Sequence, residues 1–319
     1  MRNIIPQYRF IRKIGFFWIA GMIAICSSSF ADDHLPRVLI LNSSAYIQKY
    51  SQVEEEFNLS LSGHTIVEEL NIGSKWISEE KIEEKIYDST PELILCIGSK
   101  AYLLAKKFTK NTPLLFILGI HRNRFALTDK TYVIESELSP VSQLTMFRFF
   151  FPGLIKVGVL YSKYNQQWFS RAQSSAKEVG IELAGIYIGE TASFREGLEA
   201  LLPKIDALWL ISDPIVLTSR EQVKAIFRES HVLQKPVFAY DRIFGSFGAT
   251  LIISADVVTM AKQASQMAFN ILANKSTLQK KQIPAGSHIA IHLDKIKQYQ
   301  LLLNPRALSS VNEYIHNSK

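Results

Sequence analysis

The sequence predicts an α/β protein built as two doubly wound parallel-sheet lobes, and three observations carry that prediction. Short runs of four or five apolar residues alternate with longer segments of helical period. The runs lack polar alternation, as strands covered on both faces require. The succession of runs and helices also repeats once along the chain. Strands alternating with helices imply parallel pairing through right-handed crossovers.

In chain order, the strand runs are Arg37-Val38-Leu39-Ile40-Leu41, Leu93-Ile94-Leu95-Cys96-Ile97 and Leu114-Leu115-Phe116-Ile117-Leu118. Three more follow, Val157-Gly158-Val159-Leu160-Tyr161, Ala207-Leu208-Trp209-Leu210-Ile211 and Val237-Phe238-Ala239-Tyr240. Helical period places helices at about 46–61, 78–88, 99–109, 166–179, 193–202, 216–230 and 256–273. In the last, Val257, Met260, Ala261, Ala264, Met267, Ala268, Ile271 and Leu272 form one apolar stripe. Ser287–Leu293 alternates like a strand. Each half has three runs in succession, and Pro152-Gly153 after Met146–Phe151 marks the join. One large sheet is the alternative that periodicity leaves open.

Composition bounds the function. The chain has 319 residues, 47% hydrophobic and 20% charged, with 15 Gly, 11 Pro and 2 Cys. That is a globular composition with length for two cores. The one long apolar stretch is N-terminal, which excludes a polytopic membrane protein. There, Arg2, Arg9, Arg12 and Lys13 precede thirteen uncharged residues, Ile14 to Cys26, and then Ser27-Ser28-Ser29-Phe30-Ala31-Asp32. This is the order of a secretory signal cleaved after Ala31, with Ser29 and Ala31 as its small residues. As a helix the stretch rises about 20 Å, short of the roughly 30 Å hydrocarbon core. An uncleaved tether and a lipoprotein anchored at Cys26 are the alternatives, and Ile25 is too large for a lipobox.

Removing residues 1–31 takes away four basic and no acidic residues, so the net charge falls from +7 to +3. Such a chain lacks the clustered basic face that nucleic acid requires. Cys96 becomes the only thiol. Its apolar run points to a buried, inert cysteine.

In open parallel sheets, ligands sit beyond the carboxyl ends of the strands. Those ends carry Ser43 and Ser44 with Tyr46 beyond them, Gly98 and Ser99, and His121. In the second half they carry Tyr161 and Ser162 with Tyr164 following, Ser212 and Asp213, and Tyr240 and Asp241. Each has a bland alternative. Ser43, Ser99 and Ser212 suit helix caps as well as ligand contact, and Gly98 suits a tight strand-to-helix turn. Asp213 before Pro214 is either an N-cap or the partner of a ligand ammonium. Asp241 beside Arg242 also fits a surface ion pair. His121 has no neighbouring metal-type ligand. Tyr46, Tyr161 and Tyr164 fit a core or rim as well as a stacking platform. No G-x-S-x-G, H-E-x-x-H, Walker or G-x-G-x-x-G motif occurs, which points away from the commoner catalytic plans. No cofactor or metal is expected.

Several segments carry a resemblance. They are Ile94–Ala101, Thr112-Pro113-Leu114-Leu115-Phe116, Phe151–Tyr161, Asp206-Ala207-Leu208-Trp209 and Lys235–Ala239. The helix Gln263–Leu272, Ile283-Pro284 and Ile289–Leu303 extend it. In order and spacing the chain resembles the ABC transporter substrate-binding protein family whose members take up tryptophan or tyrosine. The resemblance implies a type I periplasmic-binding-protein fold with a hinge, the first lobe taking 36–138 plus 243–274 and the second 139–242 plus 275–319. It implies an exported, monomeric periplasmic receptor that captures a small molecule and delivers it to an inner-membrane ABC permease. The ligand loops depart from the family. Tyr161–Trp168 replaces an Asn-Pro stretch, and Tyr240-Asp241-Arg242 is bulkier and more charged, so an aromatic amino acid is not carried over. The expected ligand is a small polar or zwitterionic molecule. The competing expectations are a sensor or accessory protein partnering a membrane complex, and an exported hydrolase.

Overall fold

The computed structural model describes residues 34–74, 77–189, 193–275 and 278–316. The expected signal segment, residues 1–31, lies outside them. Among the described residues no helix is long and apolar enough to cross a membrane.

The first sheet begins with β1 (Arg37–Asn42), α1 (Gln48–Leu61), β2 (Ile66–Asn71) and α2 (Glu79–Ser89). It continues with β3 (Leu93–Ile97), α3 (Ser99–Phe108), β4 (Leu114–Ile117) and β5 (Thr131–Ile134). The chain then crosses to α4 (Pro140–Phe150), β6 (Lys156–Tyr161), α5 (Gln166–Glu178) and β7 (Glu182–Tyr187). The second sheet is extended by α6 (Phe194–Leu201), β8 (Ala207–Trp209), α7 (Arg220–Val232), β9 (Val237–Ala239) and β10 (Leu251–Ala255). Next come α8 (Val257–Leu272) and β11 (Lys281–Gln282), then β12 (Ser287–Ile291), α9 (Leu293–Gln298) and β13 (Glu313–Tyr314).

The strand orders are β11-β5-β4-β3-β1-β2 and β13-β12-β10-β9-β8-β6-β7. Within each, five consecutive strands follow the doubly wound order 2-1-3-4-5. Every pairing in the first sheet is parallel. In the second, only β10 with β12 is antiparallel. The two-lobed α/β prediction therefore holds, and one large sheet is excluded.

Residues of the central strands alternate between two cores. Val38 and Ile40 of β1 join Leu93, Leu95 and Ile97 of β3 beneath α1 and α8. Leu39 and Leu41 join Ile94 and Cys96 beneath α2 and α3. Burial on both faces is why these strands read as unbroken apolar runs. Cys96 is completely buried, and desolvation pushes its thiol well above the ordinary range. In the second lobe, Trp209 lies in the core beneath α4 and α5, edge-on to Phe147 and Trp168. Its indole N–H donates to Gln143 Oε1 at 3.2 Å, while Gln143 Nε2 donates to the Leu138 carbonyl at 2.9 Å. That chain of bonds ties the start of α4 to the sheet.

The lobe boundaries need three corrections. Pro152-Gly153 turns between α4 and β6, inside the second lobe, because Leu144, Phe147, Phe150 and Phe151 already belong to its core. The stretch 243–255, expected in the first lobe, lies in the second, since β10 pairs with β9 and β12. Conversely, β11, expected in the second, pairs with β5 in the first. The chain thus crosses between lobes at about 135–139, 255–257 and 283–287. The last two crossings touch, with Asp256 N–H donating to the Gly286 carbonyl at 3.1 Å.

Candidate functional site

The strand orders place one topological switch point between β1 and β3 and the other between β6 and β8. The loop after β1 meets the start of α3, and Ser43 Oγ accepts the Ala101 N–H at 3.0 Å. Ser43 thus satisfies one of the orphan donors of α3 from a neighbouring loop. Gly98 supplies the turn with φ +86, and a Cβ there would lie 2.7 Å from Ser43 Oγ. Ser44 N–H donates to Asn42 Oδ1 at 2.9 Å, and Ser99 Oγ donates to the Ile120 carbonyl at 2.9 Å. The Asn42 amide also donates to Glu54. For Ser43, capping is the structure's answer. Tyr46 projects into solvent, 86% exposed.

The second switch point corrects the ligand role considered for Asp213. Its carboxylate is fully buried and accepts four hydrogen bonds. The Ser162 N–H (2.7 Å) and Asn165 Nδ2 (2.9 Å) reach Oδ2, while the Ile215 and Val216 N–H groups (2.9 and 3.2 Å) reach Oδ1. A carboxylate so occupied is a structural cap and tie, leaving no lone pair for a ligand ammonium. Ser162 is buried beside it, and its Oγ accepts the Tyr164 N–H at 3.4 Å. Tyr164 is half-buried, with Lys163 Nζ 5.5 Å from its ring centre. Tyr161 turns away from the loops: its ring stacks on Phe169 at 4.2 Å and meets Tyr187 edge-on. It belongs to an aromatic group over the outer strands, a second correction.

Among the described residues, polar contacts join the strand-end regions of the two lobes. Lys49 Nζ of α1 pairs with Asp241 Oδ2 at 2.7 Å, and Asn123 Nδ2 donates to Asn165 Oδ1 at 2.9 Å. His121 Nδ1 lies 3.2 Å from Ser212 Oγ. Asp241 is therefore an interlobe partner, and Arg242 pairs with Glu313 instead. Burial lowers the His121 pKa, Arg124 adds to that, and the Ser212 contact opposes it. The imidazole is thus neutral near pH 7. The loop carrying it holds Leu118 and His121 in left-handed backbone, φ 52 and 51, strain of about 1–3 kcal/mol each. Bonds from Tyr50 Oη to the Leu118 carbonyl and from Ser136 Oγ to the Gly119 carbonyl hold that loop in place.

The first crossing runs through this junction. Glu135 binds Arg122 through three hydrogen bonds of 2.8–3.2 Å and Lys281 at 2.7 Å. Burial alone would raise the Glu135 pKa, but these two cations outweigh it and hold the carboxyl below its usual range. Two residues on, Glu137 lies near Ser212 of the second lobe. Burial first, then the Glu135 charge, pushes its carboxyl up to about 8. Tyr240 lies alongside, edge-on to Phe244, and burial followed by the Glu137 charge raises its phenol. Sequence reasoning missed Lys49, Asn123, Asn165 and Glu137. The first and last stand in segments without a motif, and Asn123 and Asn165 have partners only in the fold. Among the described residues no group of three or more His, Cys, Asp or Glu converges to hold a metal ion.

Two doubly wound lobes joined by three crossings, with strand ends opposed across a polar junction, define a binding protein of the type I periplasmic fold. Comparison with known proteins agrees. The family described as ABC transporter substrate binding protein matches residues 78–315, and the chain belongs to that family. A tyrosine-binding protein of Clostridioides difficile (strain R20291) is 22% identical over 216 residues. That alignment spans 65% of this chain and 59% of the relative. The ligand-free, open structure of a Clostridium difficile substrate-binding protein with adhesive properties superposes with TM-score 0.68 at 16% identity. It covers 89% of this chain and all of the other. An ABC domain from Streptococcus pneumonia in complex with L-Trp gives TM-score 0.60 at 12% identity, covering 88% and 99%. These structural likenesses show the shared fold.

Proposed function

We propose that this chain is the exported solute receptor of an ABC transporter, closing its lobes on a small polar or zwitterionic molecule and presenting it to an inner-membrane permease. Family membership supports the transport role, and the signal-like order of residues 1–31 supports a periplasmic site of action. The single observation that carries the reading is the opposition of both strand-end edges through His121–Ser212, Asn123–Asn165 and Lys49–Asp241. Residues at such a junction exchange partners between lobes for partners on a ligand as the hinge moves. The tyrosine and tryptophan named for the relatives make aromatic amino acids the first probes, although the altered loops after β6 and β9 favour a wider screen.

The test is thermal unfolding and small-angle scattering of the mature protein with amino acids, amines, nucleosides and sugars. A true ligand at a hundred times its Kd adds about 2.7 kcal/mol and raises Tm by several degrees. A screen in which nothing moves either readout overturns the reading. One observation favours a second reading, an exported hydrolase: His121 stands within hydrogen-bond distance of Ser212. Against it, no carboxylate bonds the imidazole among the described residues, and the family is one of binding proteins. Labelling of Ser212 by a fluorophosphonate would support that alternative.

A further inference from the structure

Among the side chains that join the lobes, Asn165 is the most constrained. It closes the short turn Lys163–Asn165 after β6, is 4% exposed, and uses both ends of its amide. Its Nδ2 donates to Asp213 Oδ2 at 2.9 Å and to the Ser212 carbonyl at 3.2 Å. Its Oδ1 accepts from Asn123 Nδ2 of the first lobe at 2.9 Å. The amide cannot turn over, because a flip would set its oxygen against two acceptors, the Asp213 carboxylate and the Ser212 carbonyl. Asp213 is itself fixed by the N–H groups of Ser162, Ile215 and Val216. Asn165 Oδ1 is therefore a rigid acceptor presented to the first lobe, and only a donor can meet it.

Asn123 is held from its own side. It is the middle residue of the 3-10 turn Arg122–Arg124, which the Phe125 N–H closes on the Arg122 carbonyl at 3.0 Å. Arg122 anchors that turn to Glu135 through three hydrogen bonds. His121, preceding the turn, reaches Ser212 Oγ at 3.2 Å, on the residue whose carbonyl holds Asn165. A second tie, Lys49–Asp241, joins α1 to the loop after β9. Groups already oriented on both sides lose little freedom when they meet.

Resting on the receptor reading above, we infer that Asn123 and Asn165 form a clasp that holds the lobes together in the absence of solute. Asp213, the sequence's candidate for a ligand, is a positioning residue that acts through Asn165 by locking its oxygen toward the first lobe. Solute enters when the clasp parts, so the strength of the clasp sets the fraction of receptor open to it.

The clasp is tested without solute. Cys96 is buried, so the mature chain takes spin labels selectively at Leu59→Cys on α1 and Val232→Cys on α7, exposed positions in opposite lobes. Double electron–electron resonance then reads the interlobe distance in this labelled parent and with Asn123→Ala, Asn123→Asp or Asn123→Gln added. Asn123 is exposed, so the variants should fold, and equal Tm values check that. Asn123→Asp keeps the shape but sets an acceptor against Asn165 Oδ1, whereas Asn123→Gln keeps a donor on a longer arm. The expected parent distribution is mainly short. Losing one neutral hydrogen bond should raise the open-to-closed ratio about three- to tenfold in Asn123→Ala. Asn123→Asp should open further, and Asn123→Gln should lie closer to the parent than Asn123→Ala does. Coincident distributions for the parent and Asn123→Asp, or an Asn123→Gln as open as Asn123→Asp, overturn the clasp and leave the receptor reading standing. If instead the solute screen is silent, the receptor reading falls, and with it the role of the clasp in solute entry.

Discussion

Replacing Asp213 with alanine removes one acceptor group and strands four donors. The Ile215 N–H lies near the surface and regains water, since that residue is 39% exposed. The Ser162 N–H, the Asn165 amide and the Val216 N–H belong to residues that are nearly completely buried. A buried donor left unmade costs about 1–3 kcal/mol, and partial relaxation of the loop after β6 reduces the sum. The expected destabilisation of Asp213→Ala is about 3–5 kcal/mol, and Asp213→Asn should recover part of it. Urea unfolding at pH 7, followed by far-ultraviolet circular dichroism, measures the loss as a fall in midpoint at unchanged slope. A variant within about 1 kcal/mol of wild type would refute the structural assignment. So would one that kept its stability yet lost solute affinity, since that pattern belongs to a ligand contact.

Three further outcomes follow from the same geometry. Glu137 has a folded pKa of about 8, above its unfolded value of 4.5. The stability this shift contributes is therefore fully present below about pH 4.5 and lost as pH rises through about 8. Without ligand, Glu137→Gln should match wild type in unfolding free energy near pH 5 and exceed it near pH 9, by about 4–5 kcal/mol at most; parallel stability–pH curves would overturn this. Lys49→Ala breaks a pair whose side chains are about one-third exposed, so stability should change by less than about 1 kcal/mol. The radius of gyration of the unliganded protein should rise as the lobes part, and unchanged scattering would remove the pair from the closure contacts. Gly98→Ala forces φ +86 on an alanine and brings its Cβ within 3 Å of Ser43 and Tyr50. A loss of about 2–4 kcal/mol is expected in chemical unfolding. Gly180→Ala, with φ +73 and open space around it, is the control that should lose about 1–2.

Some of this was legible because the physics is local. The core strands are apolar on both faces, so β1, β3, β4, β6 and β8 stand out as runs, and the helices between them keep a 3.6-residue period. Asp-Pro at 213–214 carried its N-cap reading in two residues. The edge strands β2 and β7 face solvent on one side and mix Glu with apolar residues, so they give no such run. The helix α4 was obscured because Met146–Phe151 is apolar almost throughout and shows no face.

By itself, the sequence determined the α/β class, the two matched halves and the loops at which a ligand would be sought, because burial and periodicity act within a few residues. Tertiary structure alone decided which side chains in those loops remain available. Asp213 is used up by donors about 50 residues upstream and others two or three residues on, and Lys49 finds Asp241 across 192 residues. Glu135 holds both Arg122 and Lys281 only because the fold brings those separate segments to it. Hydrogen bonds and ion pairs between distant segments depend on the path of the whole chain, and no local pattern records them.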